Sequence, residues 1–133
     1  EVLHVTPYRS YPTGVTASAS KRAEYLRWAA AEGRLLIEDD VESEFTLSGK
    51  PAETLYSQAP DRVIYLNSFS RTISPALRVA YMVLPENLLP RFQRTAGRCS
   101  CAVPSFEQFV IADLLAVRFG TDYLAGEPAD MKH

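Results

Sequence analysis

The sequence has no long apolar run and no excess of positive charge. None of its hydrophobic stretches approaches the roughly 20 residues that a helix needs to cross a bilayer, and no secretory signal is visible. The formal net charge at pH 7 is -2, whereas a nucleic-acid surface needs a clustered excess of lysine and arginine. We therefore expect no membrane span, and any DNA binding must lie outside this segment.

Cysteine and histidine are also scarce. Cys99 and Cys101 are separated by one residue, which is too close for an ordinary structural disulfide, and only His4 and His133 could complete a metal site with them. We expect both thiols to be reduced and to serve packing roles, and we expect no metal site. The turn at residues 48–51 contains Gly-Lys, but it lacks the spacing of a nucleotide-binding P-loop.

The 133 residues contain an alternation of strand and helix patterns. Apolar or β-branched runs predict strands at residues 2–5, 35–37, 63–66 and 79–83. Helical spacing predicts helices at residues 21–32, 52–57, 86–95, with a break near Pro90, and 106–119. This order is typical of an α/β fold. The residues predicted to delimit the helices are Ser18 or Ser20 and Gly33 for the first, and the capping box Ser105 and Gln108 with Gly120 for the last.

The most informative stretch is residues 63–85, where two strand patterns flank a turn rich in hydroxyl groups. The turn contains Ser68, Ser70 and Arg71, and Arg78 stands at its far end. Hydroxyl and guanidinium groups hold phosphates and carboxylates through charge-assisted hydrogen bonds. The pattern therefore predicts a loop that holds an anion.

This loop resembles the cofactor loop of fold-type I enzymes that use pyridoxal 5'-phosphate (PLP). The form Ser/Thr-x-Ser-Lys-x-x-x-Pro-x-x-Arg-x-x-Tyr is found in the MocR/GabR transcription regulators of the GntR family and in class I/II aminotransferases. The chain matches it from Ser68 to Tyr81 with one departure, because Arg71 stands where the family carries the Schiff-base lysine.

A second similarity begins at the acidic run of residues 38–40, which follows a predicted buried strand. Continued by Val41 and the Glu-Ser-Glu-Phe of residues 42–45, it is similar to the family string Glu-Asp-Asp-Tyr-Asp-Ser-Glu-Phe. The resemblance implies that Asp39 pairs with the protonated pyridine nitrogen of PLP, which keeps the ring electron-poor. Val41 replaces the tyrosine that meets the phenolic oxygen of the cofactor.

A third similarity is the Pro-Thr-Gly of residues 12–14, which resembles the family motif His-Gln-x-Pro-x-Gly. Arg9 and Ser10 stand where the family has His and Gln. By resemblance, the cofactor-binding positions are therefore Arg9, Ser10, Asp39, Val41, Ser68, Ser70 and Arg78. Lysine can attack the cofactor aldehyde, but a guanidinium stays protonated and is no nucleophile, so we expect Arg71 to be catalytically inactive and PLP to be noncovalent or absent.

The residue types leave another interpretation of the loop open. Arg71 and Arg78 could simply pair with the buried or solvated carboxylates of Glu38, Asp39 and Asp40. On that view the loop is an ion-pair cluster and not a phosphate site.

The resemblance covers about residues 2–120 and implies a fold, a domain organisation and partners. The expected fold is part of the fold-type I PLP-transferase large domain, a mostly parallel sheet with one antiparallel strand, flanked by helices. Residues 1–133 would form a single partial domain, the C-terminal part of the aminotransferase-like large domain, with the N-terminal winged-helix domain and the small domain absent. The family implies a cytoplasmic homodimer that responds to a small amino-acid or PLP-like effector and contacts DNA only through the absent N-terminal domain.

Three functions remain open from sequence. The first is the effector- or PLP-sensing domain of a MocR/GabR-type regulator with a degenerate cofactor site. The second is a fragment of a PLP-dependent class I/II aminotransferase, although we expect no transaminase activity from this chain. The third is a structural dimerisation relic.

Overall fold

The computed structural model describes residues 1–40, 53–96, 98–99 and 101–125, with side chains as far as residue 117. All four predicted strands are present, and a four-residue helix that was not predicted, α3, follows the third. Within the described residues no helix combines the length and the apolar character needed to cross a membrane. The elements are β1 (Val2–Val5), α1 (Ala19–Ala29), β2 (Leu35–Asp39), α2 (Leu55–Gln58), β3 (Val63–Ser68), α3 (Phe69–Thr72), β4 (Ala80–Val83), a 3-10 turn (Glu86–Leu88), α4 (Leu89–Ala96) and α5 (Ser105–Ala125).

The four strands form one sheet in the order β1-β2-β3-β4. β1, β2 and β3 are parallel, with Leu3 beside Leu36 and Leu36 beside Val63, and β4 runs antiparallel to β3. Parallel neighbours need a crossover, which the segment containing α1 supplies between β1 and β2. The α/β fold with a mostly parallel sheet and one antiparallel strand is confirmed.

The buried core lies on one face of this sheet. Val5, Leu36 and Val63 from three neighbouring strands pack with Ala29 of α1 and Leu55 of α2. Leu36 is fully buried, and burying a leucine side chain stabilises a fold by about 1.5–3 kcal/mol. The core therefore ties both helices to the centre of the sheet.

Alternation along β2 divides its acidic residues between the two faces. Leu36, Glu38 and Asp40 are buried on the core face, whereas Ile37 and Asp39 on the opposite face are only half-buried. Of the three consecutive acids, only Asp39 thus points away from the core.

The first helix begins and ends earlier than predicted. Ser18 is the N-cap, since its side-chain oxygen accepts a hydrogen bond from the amide of Lys21 at 3.2 Å. The helix ends at Ala29, and the predicted end at residue 32 is wrong. Gly33 has a φ of 71° and forms the turn into β2, so the glycine permits a left-handed turn but does not directly follow the helix.

Contacts divide the chain into two compact units, Glu1–Ser100 and Cys101–His133. In the second unit, α5 continues past Gly120 to Ala125, so the predicted stop at Gly120 is wrong. The side-chain amide of Gln108 donates to the Val103 carbonyl at 3.0 Å, and the predicted capping box is not formed among the described residues. The break predicted near Pro90 is confirmed, because a 3-10 turn precedes α4 there. Cys99 and Cys101 are free thiols, but both are exposed, so their predicted packing role is wrong.

Candidate functional site

A cavity of about 440 Å³ lies where β1, β2 and β3 reach their carboxyl ends. This edge of a parallel sheet is where α/β proteins place ligands, because the loops that follow the strands converge there. Four of the residues singled out from sequence line the cavity, namely Arg9, Ser10, Asp39 and Arg71. Its remaining walls are Thr6, Tyr8, Tyr11, Pro12 and Gly14.

Local hydrogen bonds hold Arg9 and Ser10 in the loop between β1 and α1. Ser10 and Val15 form an isolated antiparallel β-bridge, in which the Ser10 amide donates to the Val15 carbonyl at 2.9 Å. The hydroxyl oxygens of Thr6 and Ser10 are 2.8 Å apart. Gly14 closes the turn with a φ of 69°. Arg9 also has a positive φ, 46°, an unusual conformation for a residue with a side chain and one often found at ligand sites. The loop thus presents a hydroxyl and a guanidinium to the cavity.

Asp39, the last residue of β2, faces the cavity and is joined there by a residue that sequence reasoning did not assign to the site. Its Oδ2 lies 3.2 Å from Nε2 of His4 on β1, and the two side chains are 33% and 55% exposed. His4 was considered only as a metal ligand. The parallel register, in which His4 lies beside Ile37, places it on the same face as Asp39. Both strands were predicted from sequence, but the contact between His4 and Asp39 could not be, because it depends on the register in which the two strands pair.

The hydroxyl-rich turn is held together by its own polar groups. The Ser70 hydroxyl donates to the Leu77 carbonyl at 2.6 Å, and the amide of Phe69 donates to the Val79 carbonyl at 2.9 Å. These bonds join the two ends of the turn and fold residues 69–72 into α3. Arg71 lies on α3, and this short helix brings its side chain to the cavity.

Ser68, Ser70 and Arg78 do not line the cavity in the described part of the chain. Arg78 is exposed and makes no hydrogen bond or ion pair to any residue that the structure describes. Since Glu38, Asp39 and Asp40 are all described, the alternative interpretation that Arg78 pairs with these acids is wrong. Val41, the predicted position of the family tyrosine, lies outside the described residues.

Glu38 has a structural task on the core face. Its two carboxylate oxygens accept the backbone amides of Leu55 and Tyr56, each at 2.8 Å, and so cap the first turn of α2. The side chain is fully buried, and this burial raises the pKa of Glu38 despite the two hydrogen bonds. Glu38 therefore ties β2 to α2 and does not reach the cavity.

Asp40, which is fully buried, starts a partly buried chain of hydrogen bonds that ends at Ser68, the first residue of the turn. The Tyr65 hydroxyl donates to Asp40 Oδ2 at 2.8 Å and accepts from the Asn67 side-chain amide at 2.8 Å. The carbonyl oxygen of the same Asn67 amide accepts from the backbone amide of Ser68 at 2.6 Å. Burial raises the pKa of Tyr65, so its hydroxyl keeps the proton that it donates. Sequence reasoning missed Tyr65 and Asn67, although alternation on β3 predicts that they share a face.

The groups around the cavity suit PLP as a noncovalent ligand. Asp39 offers a carboxylate to a pyridinium nitrogen, and Arg9, Arg71 and Ser10 offer donors to anionic oxygens. No lysine is present among the described residues that line the cavity. The donor set therefore fits the charges of the cofactor, and it lacks the amine that would bind the cofactor covalently.

No protein-family model matches the chain, but individual proteins do. It is 36% identical over 114 residues to the HTH-type pyridoxine biosynthesis transcriptional regulator PdxR of Corynebacterium glutamicum, a match that covers 86% of this chain and 25% of the regulator. It is 34% identical over 115 residues to the uncharacterized HTH-type transcriptional regulator YhdI of Bacillus subtilis, covering 86% of this chain and 24% of that protein.

Among solved structures, the chain is similar to LysN, the α-aminoadipate aminotransferase of Thermus thermophilus, in complex with N-(5'-phosphopyridoxyl)-L-leucine. The TM-score is 0.74 at 30% sequence identity, over 90% of this chain and 32% of LysN. The chain thus spans about a quarter to a third of the length of these relatives. The chain is thus similar in sequence to MocR-type regulators with aminotransferase-like domains, and its fold is similar to part of a fold-type I PLP-dependent aminotransferase.

Proposed function

We propose that this chain is part of the effector- or PLP-sensing, aminotransferase-like domain of a MocR/GabR-type transcription regulator, with a cofactor site that binds its ligand without a covalent bond. The observation that carries the proposal is the cavity lined by Asp39, Arg9 and Arg71, in which Arg71 stands at the position that the resemblance gives to the Schiff-base lysine. The related regulators support the proposal, since the two reported above are named as HTH-type transcriptional regulators.

In this proposal PLP contacts the protein at two subsites, one for its pyridinium nitrogen and one for its phosphate. Asp39 holds the pyridinium nitrogen, and His4 orients the Asp39 carboxylate from the neighbouring strand. The turn from Ser68 to Arg78, which reaches the cavity through Arg71, would meet the phosphate. Arg78 does not line the cavity, but it is the side chain of the turn best suited to a phosphate because no described residue engages it. When bound to a fold-type I enzyme, PLP supplies an electron sink. Here Arg71 contributes positive charge and hydrogen-bond donors but no nucleophile.

We further propose that the chain works as part of a homodimer whose DNA contacts lie in a winged-helix domain elsewhere in the protein. The formal charge of -2 argues against a nucleic-acid surface within this segment. Residues 1–133 would form one partial domain of the aminotransferase-like region. The sensed molecule would be PLP or a small amino acid that can occupy the same cavity.

A second candidate function is a fragment of a PLP-dependent aminotransferase, which the likeness to LysN favours. The two candidates predict different neighbouring sequence in the parent gene. A winged-helix coding region upstream supports the regulator, and a continuous aminotransferase sequence supports the enzyme. A structural dimerisation relic is the third possibility, and it predicts no ligand binding at all.

The covalent part of the proposal is tested by mixing the protein with PLP, recording the absorbance spectrum, reducing with borohydride and measuring the intact mass. We expect no reduced adduct on residues 68–78 of the wild-type protein, because this segment contains no lysine and Arg71 cannot attack the aldehyde. The Arg71→Lys variant is the matched comparison in which an adduct becomes chemically feasible. Peptide mapping locates any adduct, and a wild-type adduct on a lysine elsewhere in the chain that Asp39→Ala abolishes would refute the noncovalent site.

The binding part is tested by calorimetry with PLP and with inorganic phosphate. A charge-assisted hydrogen bond contributes about 1.5–3 kcal/mol, so we expect Arg78→Ala to weaken phosphate binding by about 10- to 150-fold. Arg27→Ala is the control, because Arg27 is another exposed arginine without a hydrogen bond or ion pair to the described residues. Equal binding by wild type and Arg78→Ala, or binding by neither, would contradict the phosphate subsite.

A further inference from the structure

The hydrogen-bond chain from Asp40 to Ser68 has a direction that its chemistry determines. A carboxylate can only accept, so the Tyr65 hydroxyl must donate its proton to Asp40. The lone pair of that hydroxyl then receives the NH₂ group of Asn67, which leaves the Asn67 oxygen for the backbone amide of Ser68. Each group thus determines the orientation of the next one.

This hydrogen-bond chain is partly buried and links the two sequence regions that carry the candidate site. Asp40 is fully buried and Asn67 is 8% exposed. Asp40 comes directly after Asp39, the last residue of β2. Ser68 is the first residue of the turn from Ser68 to Arg78, to which we assigned the phosphate and which is called the anion-binding turn below. Polar groups in such surroundings are costly to leave without a partner, so each member of the chain adds to the hold that the pairing of Ser68 with Ala80 already gives this end of β3.

A row of aromatic rings runs alongside and reaches the same turn. The Tyr65 ring lies between Tyr56 and Tyr81, with centroids 6.2 Å away in each case, and Tyr81 contacts Phe69 of α3 at 4.9 Å. The turn is therefore held at two consecutive residues, Ser68 through its amide and Phe69 through its ring.

We infer that Tyr65 and Asn67 are positioning residues, which transmit the fixed position of Asp40 to the amino end of the anion-binding turn and so set the geometry of the phosphate subsite. This inference rests on the proposed function of that turn. Neither residue touches the ligand. Their effect is to keep the amide of Ser68 and the start of α3 in one orientation.

The experiment compares Tyr65→Phe with Tyr56→Phe in the same chain. Both variants lose one phenolic hydroxyl from neighbouring tyrosines whose rings are tilted against each other, but the Tyr56 hydroxyl makes no hydrogen bond among the described residues. Two quantities are measured, the hydrogen-exchange rate of the Ser68 amide by NMR and the affinity for inorganic phosphate. The Leu36 amide, which donates to the Arg62 carbonyl at 2.9 Å, is the internal reference for overall stability.

We expect Tyr65→Phe to speed exchange at Ser68 at least tenfold relative to Leu36 and to weaken phosphate binding at least fivefold, while Tyr56→Phe changes neither quantity more than twofold. If Tyr65→Phe does not fold, Asn67→Ala removes the acceptor of the Ser68 amide directly and should give the same two changes. Unchanged exchange at Ser68 overturns the inference, and so does faster exchange with unchanged phosphate affinity. If the wild type binds no phosphate, the proposed function fails, and exchange at Ser68 alone then decides whether the chain positions the turn.

Discussion

Glu38→Ala should destabilise the protein strongly although the residue lies outside the candidate site. The carboxylate is fully buried and accepts two backbone amides, those of Leu55 and Tyr56. Each buried donor left without a partner costs about 1–3 kcal/mol. The substitution also removes a carboxyl group whose burial is unfavourable, as its raised pKa indicates, so we expect a net loss near the lower end, about 2–4 kcal/mol. Domains of this kind unfold at a cost of about 5–15 kcal/mol, so the loss is a large fraction.

The measurement is urea unfolding followed by the fluorescence of Trp28, the single tryptophan, which packs against the core cluster. Glu24→Ala is the control, because Glu24 is exposed and pairs only with Lys21 on the surface of α1, and its midpoint should match that of the wild type. Glu38→Gln retains one acceptor oxygen, so its urea midpoint should lie between those of the wild type and Glu38→Ala. A change below about 0.5 kcal/mol for Glu38→Ala, typical of a surface substitution, would refute the assignment of Glu38 as the cap of α2.

Three further predictions concern stability. The folded pKa of Glu38 lies above its ordinary value of 4.5, so the folded state holds the proton more tightly than the unfolded state. The free energy of unfolding of the wild type, relative to that of Glu38→Gln, should therefore fall as the pH rises from below 4.5 through the folded pKa. Urea titrations at several pH values measure this difference, and a rise with pH would contradict the prediction. Leu36→Ala should cost about 2–5 kcal/mol, because Leu36 is fully buried at the centre of the sheet, and a loss below 1 kcal/mol in urea would argue against this packing. Gly33→Ala should lower the free energy of unfolding by about 1–2 kcal/mol, measured by thermal or urea unfolding. The cause is the positive φ alone, since an added Cβ would meet no atom within 4 Å. Ala31→Gly offers a comparison in the same turn.

The strands were predictable because each is a short apolar run between turn residues. Leu36 and Val63 are examples, and both pair at the centre of the sheet. The end of α1 and the presence of α3 were not predictable. α1 ends shortly before the chain turns at Gly33 into β2, and α3 lies in a turn whose Ser70 hydroxyl donates to the distant Leu77 carbonyl, a contact that residue types do not reveal.

The candidate site was predictable in part. Asp39, Arg71, Arg9 and Ser10 were singled out through the family resemblance, and the structure brings them to one cavity. His4 was missed because its contact with Asp39 arises between neighbouring strands. The presence of these residue types could be read along the chain, whereas their distances could not.

The sequence by itself determined the α/β order and the similarity to the aminotransferase-like domains, since both depend only on residue identity and spacing. The tertiary structure decided which of the three consecutive acids, Glu38, Asp39 and Asp40, lie in the core and which one faces the cavity. Three consecutive carboxyl groups differ because strand geometry sends Glu38 and Asp40 into the core and Asp39 to the cavity. Their partners, Leu55, Tyr65 and His4, come from other elements of the chain, and only folding brings them within hydrogen-bond distance.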